Sequence, residues 1–104
     1  MEQIAFLMRL KPGCEMEYRR RHDEIWPELK SALTRAGIRD YSIFLDEMTL
    51  TLFAVLRLVP DNTRDELPSL PIMRRWWDFM ADLMEVNADR SPRAVELQEM
   101  FHLD

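Results

Sequence analysis

From Ile4 to Leu10 the chain alternates: Ile4, Phe6, Met8 and Leu10 point one way, Ala5, Leu7 and Arg9 the other. That period of two predicts a strand over 3–10. Pro12-Gly13 ends it and turns the chain. The period then lengthens to that of a helix. On a wheel of about 100° per residue centred on His22, Tyr18, Ile25, Trp26, Leu29 and Leu33 fall within about 60°. Glu17, Arg20, Arg21, Glu24 and Glu28 lie on the opposite side. Pro27 interrupts this stretch and disfavours helical geometry at Trp26, so a kink or short break is expected there. Ala36-Gly37 closes the helix, because glycine accepts the left-handed cap conformation.

A second strand is predicted over 40–46, with Tyr41, Ile43 and Leu45 on one face. A third over 49–59 is apolar on both faces, which suits a central strand covered on both sides. Their close spacing makes them a hairpin. After Pro60-Asp61-Asn62 and a short helical turn at 63–67, Pro68 and Pro71 delimit a second main helix over about 72–86. Centred on Trp76, its apolar face holds Ile72, Met73, Phe79, Met80 and Leu83, with Trp77 on the shoulder at about 100°. A loop at 87–93 leads to a last strand over 94–103. The order strand, helix, strand, strand, helix, strand is the split βαβ pattern of ferredoxin-like folds. The expected fold is therefore α+β: one domain over 1–104, with two helices on one side of a four-stranded antiparallel sheet. The bare sheet face needs a cover, which a second copy packed sheet to sheet would provide.

Composition narrows the function. Hydrophobic residues make up 47%, enough for a real core, and the net charge is -5. Twelve arginines and two lysines are outnumbered by 19 acidic residues, which argues against a dedicated nucleic-acid binder. A single cysteine, Cys14, excludes an internal disulfide and a multi-cysteine zinc site, and it reads as a small apolar residue at a helix start. No stretch approaches the roughly 20 apolar residues that span a bilayer. The first ten residues lack a secretory pattern, so a cytoplasmic location is expected.

Candidate chemistry starts with His22, an ionisable ring in the middle of an apolar stripe. It is either a core histidine whose nitrogens bond backbone groups or a proton carrier. Tyr18, four residues earlier on the same face, comes within side-chain reach and favours the second role. Neither Tyr18 nor any other neighbour supplies a metal-ligand spacing, since the second histidine, His102, is remote. Tyr41 taken alone is a strand aromatic with its hydroxyl at the sheet edge. Trp76 and Trp77 cannot both point into the core, so one reaches sideways, where an indole face can stack on a sugar or a cation. The arginines beside them, Arg74-Arg75, and Arg19-Arg20-Arg21 read as solvated surface. Hydroxyls, one imidazole and indole walls suit a neutral polyhydroxylated ligand. A phosphate is not suited, because no glycine-rich loop is present. Other readings are a cofactor-independent monooxygenase, a haem-degrading enzyme, or a non-catalytic sugar-binding module.

Beyond these patterns, the chain resembles the L-rhamnose mutarotase family over nearly its whole length. The resemblance rests on Tyr18-Arg-Arg-Arg-His22-Asp-Glu-Ile-Trp-Pro-Glu-Leu29, Tyr41-Ser-Ile-Phe-Leu45, Arg75-Trp-Trp77, Ser91-Pro92 and Glu96-Leu-Gln-Glu-Met-Phe-His-Leu103. It implies an isomerase that interconverts sugar anomers, with His22 as proton donor and Tyr18, Tyr41, Trp76 and Trp77 as sugar-contacting positions. It also implies the dimeric α/β barrel form of the fold, a cytoplasmic homodimer and no cofactor. The loop Asn87-Ala-Asp-Arg-Ser-Pro92 departs from the family pattern: it lacks a proline after its asparagine and carries Arg90 where a small polar residue is usual.

Overall fold

The opening alternation folds as strand β1 (Glu2–Arg9). The computed structural model describes residues 1–104. Helices α1 (Glu15–Asp23) and α2 (Pro27–Arg35) follow, then strands β2 (Ile38–Asp46) and β3 (Thr51–Leu58). A 3-10 segment (Arg64–Ser69) leads into α3 (Pro71–Met80), and β4 (Val95–Glu96) closes the order. The sheet runs β2-β3-β1-β4 with every neighbouring pair antiparallel, the ferredoxin-like arrangement.

Period two decides which face of the sheet carries the core. The register aligns Ile4 with Leu56, Phe6 with Ala54 and Met8 with Leu52. On β3, Leu52, Ala54, Leu56 and Leu58 are buried beneath the helices, whereas Phe53 and Arg57 are exposed. Leu29, Met73, Trp76 and Met80 close over this row. Burying a leucine such as Leu56 contributes roughly 1.5–3 kcal/mol. Within one chain only this face is covered. The outer face presents Phe44, Phe53 and Val95, which are 63%, 39% and 60% exposed.

The break expected at Pro27 is present: the proline sits at the first position of α2 and Trp26 is extended at φ -63, ψ 131, so the stretch forms two helices. Three other expected boundaries move. The second strand starts two residues early and carries a register shift between Arg39 and Ser42, with Asp40 at φ 49. The third strand starts at Thr51, because Asp46 ties the turn before it: its carboxylate accepts from the Met48 N–H and the Thr49 hydroxyl. The second main helix ends at Met80. The chain tightens through Ala81–Leu83 and then turns back to β1, where the Lys11 N–H donates to the Leu83 carbonyl and the Glu85 N–H to the Arg9 carbonyl.

The last strand departs most from the expected 94–103. Only Val95 and Glu96 form the ladder, opposite Leu7 and Phe6, and the Leu97 N–H adds a bond to the Ala5 carbonyl at 2.9 Å. In that register β1 ends opposite Met100, so residues 101–103 have no partner on it, while 98–100 leave the sheet although Glu2–Ile4 lie opposite them. Met100, Phe101 and Leu103 stay exposed.

One buried atom is left unsatisfied. Glu15 Oε1, in the first turn of α1, is out of solvent and has no hydrogen-bond partner. Leaving such a group unpaired costs about 1–3 kcal/mol, while a carboxylate at a helix N-terminus gains about 0.3–1 kcal/mol. The first effect wins. Glu15→Met should therefore stabilise the chain by about 1 kcal/mol and raise Tm by a few degrees. A thermal melt showing a lower Tm would mean that the carboxylate has a partner in solution.

Candidate active site

The break after α1 aims its last turn at α3. Tyr18 and His22 are one turn apart, and their rings stack with centroids 4.4 Å apart and planes 30° apart. Trp76 of α3 meets the imidazole edge-on, at 5.4 Å and 88°. Trp26 packs against Trp76 at 5.1 Å, and Phe79 lies 5.3 Å from Trp26 and 5.7 Å from Trp76. Because Trp26 is extended at the head of α2, its indole can turn toward α3.

Arg21 clamps the two helices together and is not simply solvated, contrary to expectation. Its guanidinium lies 4.4 Å over the Phe79 ring. It donates to the Phe79 carbonyl at 2.6 Å and to Asp82 at 3.0 Å. Glu17 holds the same guanidinium at 2.7 Å from the preceding turn. Arg20 is more exposed but pairs as closely, with Glu17 at 2.6 Å and Glu24 at 3.0 Å, whereas Arg75 approaches Glu28 only at 3.7 Å.

The imidazole has one committed nitrogen and one free one. His22 Nδ1 sits 3.1 Å from the Tyr18 carbonyl oxygen. A carbonyl only accepts, so in the neutral ring Nδ1 carries the hydrogen and Nε2 carries the lone pair. Burial lowers the pKa of His22 below its ordinary value, with the Tyr18 carbonyl and the charge of Asp23 opposing. At neutral pH the ring is therefore uncharged, with Nε2 as a hydrogen-bond acceptor.

The tyrosines complement it. Burial, with a smaller contribution from nearby Tyr41, pushes the Tyr18 hydroxyl well above its ordinary value. Tyr41 as a residue is 39% exposed, but its hydroxyl end lies among protein atoms, and burial pushes it up to about 12. Tyr41 leans across β3 toward Phe6, ring centroids 6.5 Å apart. Both phenols keep their protons at neutral pH and can donate. Tyr18 Oη and Trp76 Nε1 bond to no group of the protein, yet neither is sealed from solvent, since only Glu15 Oε1 is both buried and unpartnered. Around the one lone-pair nitrogen the cluster thus leaves the Tyr18 hydroxyl and the Trp76 N–H without a partner in the protein.

Four of the five expected site residues come together: Tyr18, His22 and Trp76 by ring contact, and Tyr41 from the sheet below. Trp77 stands apart. It is half-buried against the edge of the core, and its ring touches no other aromatic ring. Consecutive helix residues diverge by about 100°, so this follows from the helix itself. The divergent loop lies beside it: Arg90 donates to the Asp78 carboxylate at 3.0 Å and to the Asp78 carbonyl at 3.2 Å, next to Trp77 on α3. His102 bonds Asp104 at 3.1 Å in the exposed tail. No three metal-ligating side chains gather anywhere in the chain. The walls formed by Phe6, Trp26 and Phe79 were not singled out from sequence. Phe79 shares the helical face of Trp76, but the contacts with Trp26 and Phe6 depend on the chain break and on strand register.

The match to known proteins is close. A profile of the L-rhamnose mutarotase family matches residues 3–103. The chain belongs to the L-rhamnose mutarotase family. It is 59% identical to an L-rhamnose mutarotase of Acidiphilium cryptum (strain JF-5) and 55% identical to one of Jannaschia sp. (strain CCS1), each over 103 residues and 99% of both chains. The crystal structure of an L-rhamnose mutarotase from Formosa agariphila superposes with a TM-score of 0.93 at 45% identity, over 100% of both chains. Membership of this family replaces the monooxygenase, haem-degrading and non-catalytic readings. No helix of the chain is long and apolar enough to cross a membrane.

Proposed function

We propose that this chain interconverts the α and β anomers of L-rhamnose, with His22 as the residue that moves the proton. The observation that carries the site assignment is the single free imidazole nitrogen, Nε2, left available by the Nδ1 bond to the Tyr18 carbonyl in a ring packed against Tyr18 and Trp76.

Anomer exchange needs one proton taken from the anomeric hydroxyl and one given to the ring oxygen. Both oxygens are attached to the same carbon, so one imidazole can serve both. The anomeric O–H proton passes to Nε2 as the C1–O5 bond breaks and the C1=O1 bond forms. The resulting imidazolium returns the proton to O5. Rotation about C1–C2 presents the other face of the aldehyde, and the same steps in reverse close the ring. No proton is lost or gained over the cycle. His22 is thus the donor to the ring oxygen only after it has been the acceptor, which matches its neutral resting state. Tyr18 and Tyr41 hold sugar oxygens as donors. Trp76 lines the apolar side of the pyranose, and Trp77, outside the aromatic cluster, meets the sugar only at its rim.

The test is anomeric exchange of L-rhamnose followed by saturation-transfer NMR. The expected result is exchange well above the buffer rate. Exchange at the buffer rate across a panel of 6-deoxy and ordinary aldoses would remove the assignment.

We also infer a homodimer formed through the outer sheet faces. The exposed apolar row Phe44, Phe53, Val95 and Leu97 supports it. Sedimentation equilibrium should give twice the 12.5 kDa chain mass, and a monomer at micromolar concentration would refute it. A cytoplasmic location fits this reading and the single free thiol of Cys14. Recovery of the protein in a periplasmic fraction would refute that placement.

A further inference from the structure

The aromatic cluster offers one lone-pair nitrogen and two phenol oxygens as acceptors, but no charged one. A pyranose brings several hydroxyls that are themselves donors, and these need acceptors when they leave water. The sheet places a carboxylate in position to accept. Glu96 is paired with Phe6 across β1 and β4, and residues opposite each other in an antiparallel pair share a face. Phe6 faces the helices and packs against Tyr41. Glu96 therefore stands on the pocket side of the sheet, at the edge next to Phe6. Arg64, at the start of the 3-10 segment, reaches it at 3.5 Å. The same guanidinium is close enough to Tyr41 for its charge to act on that hydroxyl.

Arg64 is itself held in place. The Asn62 side chain accepts from the Arg64 N–H at 3.2 Å and donates to the Val59 carbonyl at 3.1 Å. The Thr63 N–H donates to the Ala36 carbonyl at the end of α2. A guanidinium with five donors and a carboxylate with two acceptor oxygens can grip neighbouring hydroxyls of a sugar in both senses.

We propose that Arg64 and Glu96 form the hydroxyl-recognition end of the mutarotase pocket, opposite the indole end, and set which aldoses it prefers. Glu96 accepts from two neighbouring sugar hydroxyls away from the anomeric carbon. Arg64 holds the carboxylate in place and donates to the same hydroxyl oxygens. This rests on the mutarotase reading given above and adds to it the side chains that choose among sugars. An ion pair this exposed, with side chains 30% and 69% accessible, adds little to folding, so a binding role can be separated from a structural one.

The experiment compares wild type with Glu96→Gln and Arg64→Met, using anomeric exchange of L-rhamnose and of 6-deoxyhexoses inverted at C2 or C3. The variants should melt within a few degrees of wild type. KM for L-rhamnose should rise about tenfold in each, the scale of a lost hydrogen bond to a charged group, with kcat changed less than threefold. The preference for L-rhamnose over its epimers should shrink by a similar factor. Unchanged KM and unchanged sugar ranking in active variants would overturn the proposal and leave the mutarotase reading intact. A fall in kcat at constant KM would also overturn it, since that marks a group used only in the proton transfers. A wild-type protein that exchanges no aldose would overturn both.

Discussion

His22→Ala should lower catalysed anomer exchange by about 10²–10⁴, the usual contribution of a positioned acid–base group, while the chain stays folded. The physical case is the division of labour between the two ring nitrogens. Nδ1 is occupied by the Tyr18 carbonyl, and Nε2 is the one lone-pair nitrogen in the aromatic cluster. Removing the ring deletes a stack on Tyr18 and an edge contact on Trp76, worth about 0.5–1.5 kcal/mol each. Alanine recovers part of that through its helix propensity, roughly 0.5 kcal/mol. A folded protein with almost no exchange is the expected outcome. Wild-type exchange in this variant would show that another group carries the proton.

The pH profile should point to the same residue. Its folded pKa lies below the ordinary 6.5 because burial disfavours the charged ring. The neutral, active form therefore persists to lower pH than in a free histidine. Exchange, expressed as kcat/KM, should be flat near pH 7 and fall on the acid side with a midpoint below about 6.5. Stability should move in the same direction. Below 6.5 the unfolded chain takes up a proton at His22 before the folded chain does, so folding free energy decreases as pH falls through that window and is unaffected above it. An acid limb centred above 6.5 would contradict a buried, neutral His22.

Gly37→Ala should destabilise the chain by about 2–4 kcal/mol, combining left-handed backbone strain with overpacking. Gly37 closes α2 at φ +95, a conformation that L side chains avoid. Space is also lacking. An added Cβ would lie 2.6 Å from Val59 Cγ2, 2.9 Å from Asn62 Cβ and 3.2 Å from Asn62 Cα. The last of these is backbone and cannot swing aside. The Val59 N–H donates to the Gly37 carbonyl at 3.0 Å, so the two segments are bonded where they would have to separate. For a chain of this size the loss corresponds to a fall in Tm of roughly 10–20 °C. Thermal unfolding by circular dichroism measures it, and a change below 2 °C would mean that the turn relaxes freely. The matching change at Gly13, which has positive φ but nothing within 4 Å, should cost less.

The βαββαβ order, the two helical stripes and the central place of β3 were all legible in the sequence, although β3, expected to be covered on both sides, is covered on one within a single chain. Each rests on a local period of two or 3.6 that the folded chain keeps. The proximity of Tyr18 to His22 was legible for the same reason, since a separation of four residues on a helix places two side chains together whatever surrounds them. The left-handed cap at Gly37 and the interruption at Pro27 were legible because those two residues leave the backbone few choices. The meeting of Trp26 and Phe79 with Trp76, which alone of the three touches the imidazole, was not, because it depends on how α1 and α2 are offset across the break and on the angle at which α3 crosses them. Likewise, the short β4 reflects where the tail leaves the sheet, since Glu2–Ile4 of β1 still lie opposite residues 98–100, and Glu96 came beside Phe6 through register. Tyr41 meets Phe6 across β3, a contact between strands that are not neighbours in the sheet. Local periodicity tells a side chain which face to occupy, but only the packing of distant segments determines its neighbours, and in this protein the chemistry depends on those neighbours.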